Sequence, residues 1–437
     1  MTAVADRPAR GWRASPALLL LLLGGVSACL YTQEYTIATY PWVFFPLFAL
    51  YGLALALVFR QPAGMSATCL ALILAFAVLF RLLVVVSPLV LSDDLYRYVW
   101  DGRVQRAGIN PYRYAPEAEA LAALRDSTIY PYVHRPALPT IYPPVAQMLF
   151  AFITGIVPDS VRGMKVIMLG FDLSTLGLLV RLLKSTGHDP ARVLLYAWSP
   201  LVVFEFAGSG HVDVLMLPFL LLALQARLAR CWGLTGVLLG LATLIKLYPA
   251  ILLPAFYARH ERRLPLSFAA TLVGGYLLYL PGAGTRIFGY LPGYFGPWED
   301  FNGGLRSFLT LALTPLTGAA RSLALAGCAA LLLVIAYRVS RRGRDADVIQ
   351  GAACMIAAYL LLVPTTFHPW YVIWLLPCLC VQPSWGWLYL SGAITFSYVA
   401  YTLEYPTVPL GLHLLEFVPC YALLLAQGLW QRWRGAV

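Results

Sequence analysis

Charge is what this chain has least of. Asp, Glu, Lys and Arg together make up 12% of its 437 residues, about half of what a soluble surface requires, and this shortage excludes a water-soluble globular domain. Lysine occurs at only three positions, Lys165, Lys184 and Lys246, so the net charge of +11 is carried almost wholly by arginine. The basic residues lie in short clusters between apolar runs, the pattern by which membrane proteins fix their orientation, and this argues against a nucleic-acid partner. No Gly-rich phosphate loop follows a strand-like run, so nucleotide binding is not signalled. The eight Cys include no CxxC spacing and no set that demands a metal. Cys69, Cys328 and Cys354 fall within apolar runs and read as buried, inert thiols. No internal repeat, low-complexity tract or appended soluble domain is visible.

What remains is hydrophobic: 60% of the residues. The expected fold is an all-α polytopic membrane protein, because a helix crossing a bilayer needs about 20 apolar residues and such runs follow one another along the chain. Runs at 16–31, 41–59 and 66–91 give three crossings, with the 60–65 turn inside and Ser92 emerging outside. The basic flank Arg7, Arg10 and Arg13 followed by Val26-Ser27-Ala28-Cys29 imitates a lipoprotein signal, but serves equally as a first membrane helix starting inside. Pro143-Pro144 suits the first turn of a returning crossing that ends near Val157, with Arg162 and Lys165 marking a cytoplasmic turn. Between 166 and 260, both Arg227 with Arg230 and Arg259, Arg262 and Arg263 prefer the cytoplasm, which a hairpin of short helices turning around Lys246-Leu247-Tyr248-Pro249 would satisfy. Beyond Leu264 come an outer loop through Gly304, a short apolar helix, a span ending in the basic turn Arg338–Arg344, and spans near 348–364, 370–382, 385–402 and 412–430. Arg432 and Arg434 place the C-terminus inside. About 12 to 14 transmembrane helices are expected, divided into two N-terminal helices (1–65), a core (66–383) with an extracytoplasmic loop at 92–140, and C-terminal helices (384–437).

The 92–144 segment interrupts this apolar background. The segment, which includes SDDLYRYVWDGRVQRAGINPYRYAP and YPYVHRPALPTIYPP, carries six Arg (97, 103, 106, 113, 125, 135) against six carboxylates (Asp93, Asp94, Asp101, Glu117, Glu119, Asp126), interleaved with Tyr and Trp. Six Arg on the outer side oppose the positive-inside bias, which makes a specific task worth seeking. Asp93 and Asp94 follow an apolar span directly. Their ordinary role is to cap a helix after Ser92, yet Asp94, Tyr98, Asp101 and Gln105 share one face with Arg97 beside them, so the helix reads as interfacial with a polar side toward a cavity. Lys246 lies in an apolar run where an unpaired charge costs about 2.5–3.5 kcal/mol, so it needs a partner or an anion. Glu205 and Gly208-Ser209-Gly210-His211-Val212-Asp213 form a second polar island, read either as a satisfied helix break or as part of a site. His368, in TTFHPWYVIW, sits at an outer helix end where Trp and Tyr are often interfacial anchors. Trp298, Glu299, Asp300 and Asn302 read as rim, and Arg306 can snorkel.

Together these groups form a set suited to a lipid-linked anion. Arg97, Arg103, Arg135, Lys246 and Arg306 can hold a phosphate, Asp94 can take a proton from a hydroxyl, and His134, Tyr142 and the other aromatics suit a sugar. The segments SDDLYRYVWDGRVQRAGINPYRY, TIYPPVAQ, WSPLVVFEFAGSGHVD, GLATLIKLYP and FHPWYVIWLLP resemble the GT-C class of integral-membrane glycosyltransferases, and within it the bacterial polyprenol-phosphate-mannose-dependent mannosyltransferases. That resemblance implies many transmembrane helices around an outward cavity, interfacial helices in the first large outer loop, and residence in the bacterial cytoplasmic membrane. It implies transfer of a sugar, expected to be mannose, from a polyprenyl-phosphate donor to a glycan, lipid or protein acceptor, with inversion and with a loop Asp as general base. Asp94, heading D-x-x-R-Y, matches that Asp, with Asp93 in reserve. No cofactor is required by the pattern; the acids could bind a divalent cation, but no spacing demands one. Two alternatives stay open: a transporter or flippase using Lys246, His211 and Asp213 as an intramembrane pathway, and a non-catalytic partner docking through the polar loop.

Overall fold

The computed structural model describes residues 15–61, 64–342, 348–403 and 407–436. Among these the chain is helical throughout, with no β-strand and one isolated parallel bridge, Phe301 to Thr366. Five helices are long and apolar enough to cross a membrane, among them Tyr40–Phe59, Ala67–Val85 and Val161–Ser185, and six if the pair Pro190–Ala197 and Pro200–Gly208, bent by 56°, is one span. The other apolar runs form shorter helices, such as Pro144–Ile156, Trp232–Thr243 and Val348–Leu362. The chain is thus an integral-membrane, all-α protein, its helices apolar toward lipid as well as toward the core. Not every thiol in an apolar run is buried: Cys29 and Cys354 are exposed on their helices, as is Cys231 in the turn between two helices. The basic flank Arg7, Arg10 and Arg13 and the end of the Arg338–Arg344 turn lie outside the described residues.

Side-chain contacts sort the turns onto two faces of the molecule. On one, the Met65 amide donates to Asp189 Oδ2 (2.8 Å), Arg192 donates to the Val381 carbonyl (3.2 Å) and buried Arg227 donates to the Phe256 carbonyl (2.6 Å). The last contact shows that the chain from Trp232–Thr243 through Tyr248–Leu252 to Leu253–Phe256 doubles back, so the hairpin around Lys246 exists and both basic clusters share a face. One expected crossing does not. Pro144–Ile156 has 13 residues, about 20 Å of helix, short of the roughly 30 Å hydrocarbon layer. Its C-terminal end stays with the polar loop: Asp159, just beyond it, pairs with Arg103 (2.8 Å), and Lys165 in the next helix donates to the carbonyl of Ser87, just before the loop (2.8 Å). The 157–165 turn therefore belongs to the same face as Ser87 and the loop. Arg162 and Lys165 do not mark the opposite side.

The polar loop is ordered by its own charges. Its first helix, Asp94–Arg106, packs along Pro144–Ile156 at a close approach where a Cβ on Gly102 would lie 2.6 Å from the Phe150 carbonyl. The expected polar stripe is absorbed in this contact. Asp101 accepts from Arg97 (2.9 Å), Thr140 (2.6 Å) and Gln147 (2.9 Å), while Gln105 donates to the Gln147 carbonyl (2.9 Å) and accepts from Tyr279 (2.8 Å). Buried polar groups with every partner in place give one fixed arrangement, so the stripe builds the wall of a cavity and only its first turn faces inward. Deeper in the protein, fully buried Arg81 pairs with Asp172 (2.7 Å), which also accepts from Tyr196 (2.7 Å), the counter-charge that a cation at membrane depth needs.

Candidate active site

A cavity of about 890 Å³ opens between the two polar loops and the helix ends beneath them. Asp93, Asp94, Arg97, His134, Arg135, Tyr142, Lys246 and His368 all line it. Tyr98, Asp101, Arg103, His211, Asp213 and Arg306 do not, and each is engaged elsewhere.

Asp94 begins the loop helix. Its amide donates to Ser92 Oγ (3.2 Å), while Asp93 holds the N-cap position without a side-chain capping bond, and the Asp94 carboxylate faces the cavity. That carboxylate is 25% exposed, toward the cavity, and its Oδ2 lies 3.5 Å from Nδ1 of buried His211. Burial alone would raise its proton affinity, but the close contact with His211, the charge on that ring, and then His134 and Lys246 hold the carboxyl well below the usual range. Asp94 is therefore an ionised carboxylate with a path outward. Asp93 turns instead to half-exposed His134 (3.3 Å), whose pKa this contact raises against its partial desolvation.

His211 and Asp213 come from one helix break. Val203–Gly208 is a π-helical turn, Gly210 takes the left-handed conformation (φ +70°), and a new helix starts at Asp213. A π-bulge aims side chains that a regular helix would rotate away, a device frequent at functional sites. Here it directs fully buried Glu205 to His211 Nε2 (3.1 Å) and fully buried Asp213 to Lys246 Nζ (3.3 Å) and Trp374 Nε1 (2.6 Å).

Lys246 is therefore the cation whose free side meets the cavity. Its neighbour Leu244 accepts the first amides of Pro144–Ile156, Val145 (2.9 Å) and Ala146 (3.1 Å), which pins the loop to the hairpin. The ammonium lies over the rings of Tyr371 (5.0 Å) and Trp374 (5.9 Å). Arg135, with positive φ, pairs with Glu299 of the second outer loop and remains 44% exposed. The other expected cations are engaged. Arg97 gives both terminal nitrogens to the Leu138 carbonyl (3.1 Å each), Arg103 pairs with Asp126 and Asp159 (2.8 Å each) away from the cavity, and Arg306 pairs with Asp300 (2.8 Å).

Aromatic rings form the remaining wall. Tyr248 stacks on Trp374 (3.8 Å), Trp374 on Tyr371 (4.4 Å), and His211 on Trp370 (3.6 Å) with His368 on its other side (4.3 Å). Trp370, Tyr371 and Trp374, whose place in TTFHPWYVIW suits interfacial anchors, instead form this platform. Pro369–Leu375 is a 3-10 helix, in which residues three apart eclipse, and the 371/374 spacing is the signal for it. Glu299, taken as rim, is 95% buried and ties the two loops through Arg135 and the Tyr290 hydroxyl (2.8 Å).

Against known proteins, residues 19–260 match the family model described as alpha-(1->6)-mannopyranosyltransferase, N-terminal domain. The chain belongs to the alpha-(1->6)-mannopyranosyltransferase family. It is 26% identical over 321 residues to alpha-(1->6)-mannopyranosyltransferase A of Mycobacterium tuberculosis, covering 65% of this chain. Over 380 residues and 71% of this chain it is 24% identical to alpha-(1->6)-mannopyranosyltransferase B of Corynebacterium glutamicum. Each match spans 60% of the relative's own length. No solved structure matches. The family's matched region contains Asp93, Asp94, His134, Arg135, His211, Asp213 and Lys246, whereas Glu299, Arg306 and His368 lie beyond it.

Proposed function

We propose that this chain transfers mannose from a polyprenyl-phosphate-linked donor to a hydroxyl of a glycan, lipid or protein acceptor, at a site facing out of the bacterial cytoplasmic membrane. The observation that carries the reading is one cavity, in a membrane protein of a mannosyltransferase family, with an ionised Asp94 on one wall and Lys246 over an aromatic platform on another.

The chemistry follows from the charges. Asp94 takes the proton of the acceptor hydroxyl as its oxygen bonds to the anomeric carbon. The bond from that carbon to the phosphate oxygen breaks, and the electron pair leaves with the lipid phosphate, giving inversion. Lys246 and the exposed edge of Arg135 stabilise the phosphate as its charge grows. Tyr371 and Trp374 offer ring faces to the apolar side of a sugar. Asp93 is the reserve base, though its pairing with His134 turns it aside. Whether a divalent ion bound by the loop acids takes part is a separate question, which addition of a chelator answers. The same Lys246, His211 and Asp213 would serve a transporter, but here Lys246 pairs with Asp213, and His211 lies between Asp94 and Glu205 at the cavity wall.

Asp94→Asn keeps the shape and removes the base. In purified, folded protein supplied with a radiolabelled mannosyl lipid phosphate and mixed acceptors, turnover should fall about 10²–10⁴-fold. Turnover equal to the wild type would end the assignment of Asp94.

A further inference from the structure

Behind Asp94 the protein buries a second carboxylate for which the reaction has no evident need. Glu205 is fully buried, and its Oε1 accepts from the Tyr398 hydroxyl (2.6 Å) while Oε2 meets His211 Nε2 (3.1 Å). His211 is itself 99% buried, and its other nitrogen faces Asp94 (3.5 Å). The three groups make a series, carboxylate to imidazole to carboxylate, running from the protein interior to the cavity wall. A neutral imidazole would leave two carboxylates, one wholly desolvated, with a single weak donor between them. An imidazolium gives each a charged partner, the condition under which a buried carboxylate persists. The ring cannot turn away, because Trp370 stacks on it at 3.6 Å and 17°, and the left-handed Gly210 fixes the backbone beside it.

We propose that His211, anchored by Glu205, is a positioning residue that holds Asp94 ionised and aimed into the cavity, ready to take the proton of the acceptor. The proposal rests on the reading of Asp94 as the general base. His211 does not touch the acceptor and takes no proton from it; its charge and its fixed ring set the state of the carboxylate that does.

Other titratable groups surround the series. On the outer loop Asp93 pairs with His134, Lys246 pairs with Asp213, and His368 stacks on the far side of Trp370. The phenols of Tyr35, Tyr40, Tyr98, Tyr142, Tyr371, Tyr398 and Tyr401 approach from the remaining elements, and Arg135 stands beyond them. None of these combines the depth of His211 with direct contact to Asp94.

The test is the pH profile of kcat/KM for transfer from the mannosyl lipid phosphate, measured in detergent between pH 4.5 and 8 for the wild type, His211→Asn, Glu205→Gln and His134→Asn. Its acid limb reports the base of the free enzyme. In the wild type the limb of Asp94 is expected below this range, because His211 lowers its proton affinity. Without the imidazolium, Asp94 keeps its partial burial and loses its counter-charge, so a new acid limb should enter at about pH 5 or above, with kcat at pH 7 lower by about tenfold from lost aim. Glu205→Gln should give a smaller shift in the same direction, and it carries the test alone if His211→Asn does not fold. His134→Asn should move the limb less, since that ring is half exposed. Profiles of His211→Asn and Glu205→Gln that superimpose on the wild type, or a larger shift in His134→Asn, would overturn the proposal. If Asp94→Asn is inactive while these profiles superimpose, His211 alone is misassigned; if Asp94→Asn is fully active, the base itself is.

Discussion

Replacing Lys246 tests whether this cation serves the fold or the reaction, because its partner Asp213 makes it do both. Asp213 is fully buried and holds two donors, Lys246 Nζ at 3.3 Å and Trp374 Nε1 at 2.6 Å. Lys246→Met strands the carboxylate with one of them. Breaking a buried pair from one side costs about 3–5 kcal/mol, but the Lys246 side chain is 23% exposed and the Trp374 bond survives, so about 2–3 kcal/mol is expected here. Asp213→Asn added to Lys246→Met removes the stranded charge and keeps an oxygen for Trp374, so the double variant should recover most of that loss. Activity should not follow. A charge-assisted contact to the leaving phosphate is worth about 1.5–3 kcal/mol, and at 1.36 kcal/mol per decade its loss lowers kcat/KM by roughly 10- to 150-fold in both variants. The measurements are thermal unfolding in detergent and transfer kinetics with labelled mannosyl lipid phosphate on the same preparations. Recovery of wild-type kcat/KM in Lys246→Met/Asp213→Asn would refute the phosphate role and leave Lys246 a structural partner of Asp213.

Two further outcomes follow from local geometry. Gly210→Ala forces a side chain into the left-handed region and sets its Cβ 2.6 Å from Leu95 Cδ1, so it should destabilise by about 2 kcal/mol and lower turnover by displacing His211 from Asp94; an unchanged melting temperature would show that the turn is slack. His134 has a raised pKa because Asp93 contacts it, so its contribution to stability is complete below the unfolded-state pKa of about 6.5 and is lost as pH rises through the folded value. With the ring 48% exposed the gain is at most a few tenths of a kcal/mol: His134→Asn should melt slightly below the wild type at pH 5.5 and with it at pH 8.5, and a deficit confined to the alkaline side would contradict the pairing.

Charge in an apolar background is conspicuous, and this is why so much of the site could be read in one dimension. Asp94, His134, Arg135, Lys246 and His368 stood out, and all reach one cavity. The hairpin at Lys246 was legible too, because two basic clusters flanked a single run. The fate of Pro144–Ile156 was not. Apolarity reports that a helix avoids water, but it does not distinguish lipid from protein as the alternative, and a turn carrying Arg162 and Lys165 looks the same whether the charges face cytoplasm or an outer-side carbonyl. The stripe of Asp94, Tyr98, Asp101 and Gln105 failed for a related reason: periodicity identified the face, whereas Thr140, Gln147 and Tyr279, its partners, arrive from 35 residues or more away in the chain. The His211 series was quoted as a polar island, yet only the π-helical turn aims Glu205 at it, and no propensity announces a π-helix.

The first two helices, for which the sequence reading found no task, brace the innermost member of that series. Tyr31, Tyr35, Tyr40 and Phe44 crowd their rings onto Phe204, next door to Glu205, and Tyr40 also meets Tyr398, whose hydroxyl Glu205 receives. Shortening the protein at its start would consequently unroof a desolvated carboxylate some distance from any sugar, letting water reach it and loosening its grip on the imidazole. Loss of activity in such a truncation would then reflect a wetted interior and not a missing substrate contact, a distinction to keep in mind when trimming this protein for crystallisation.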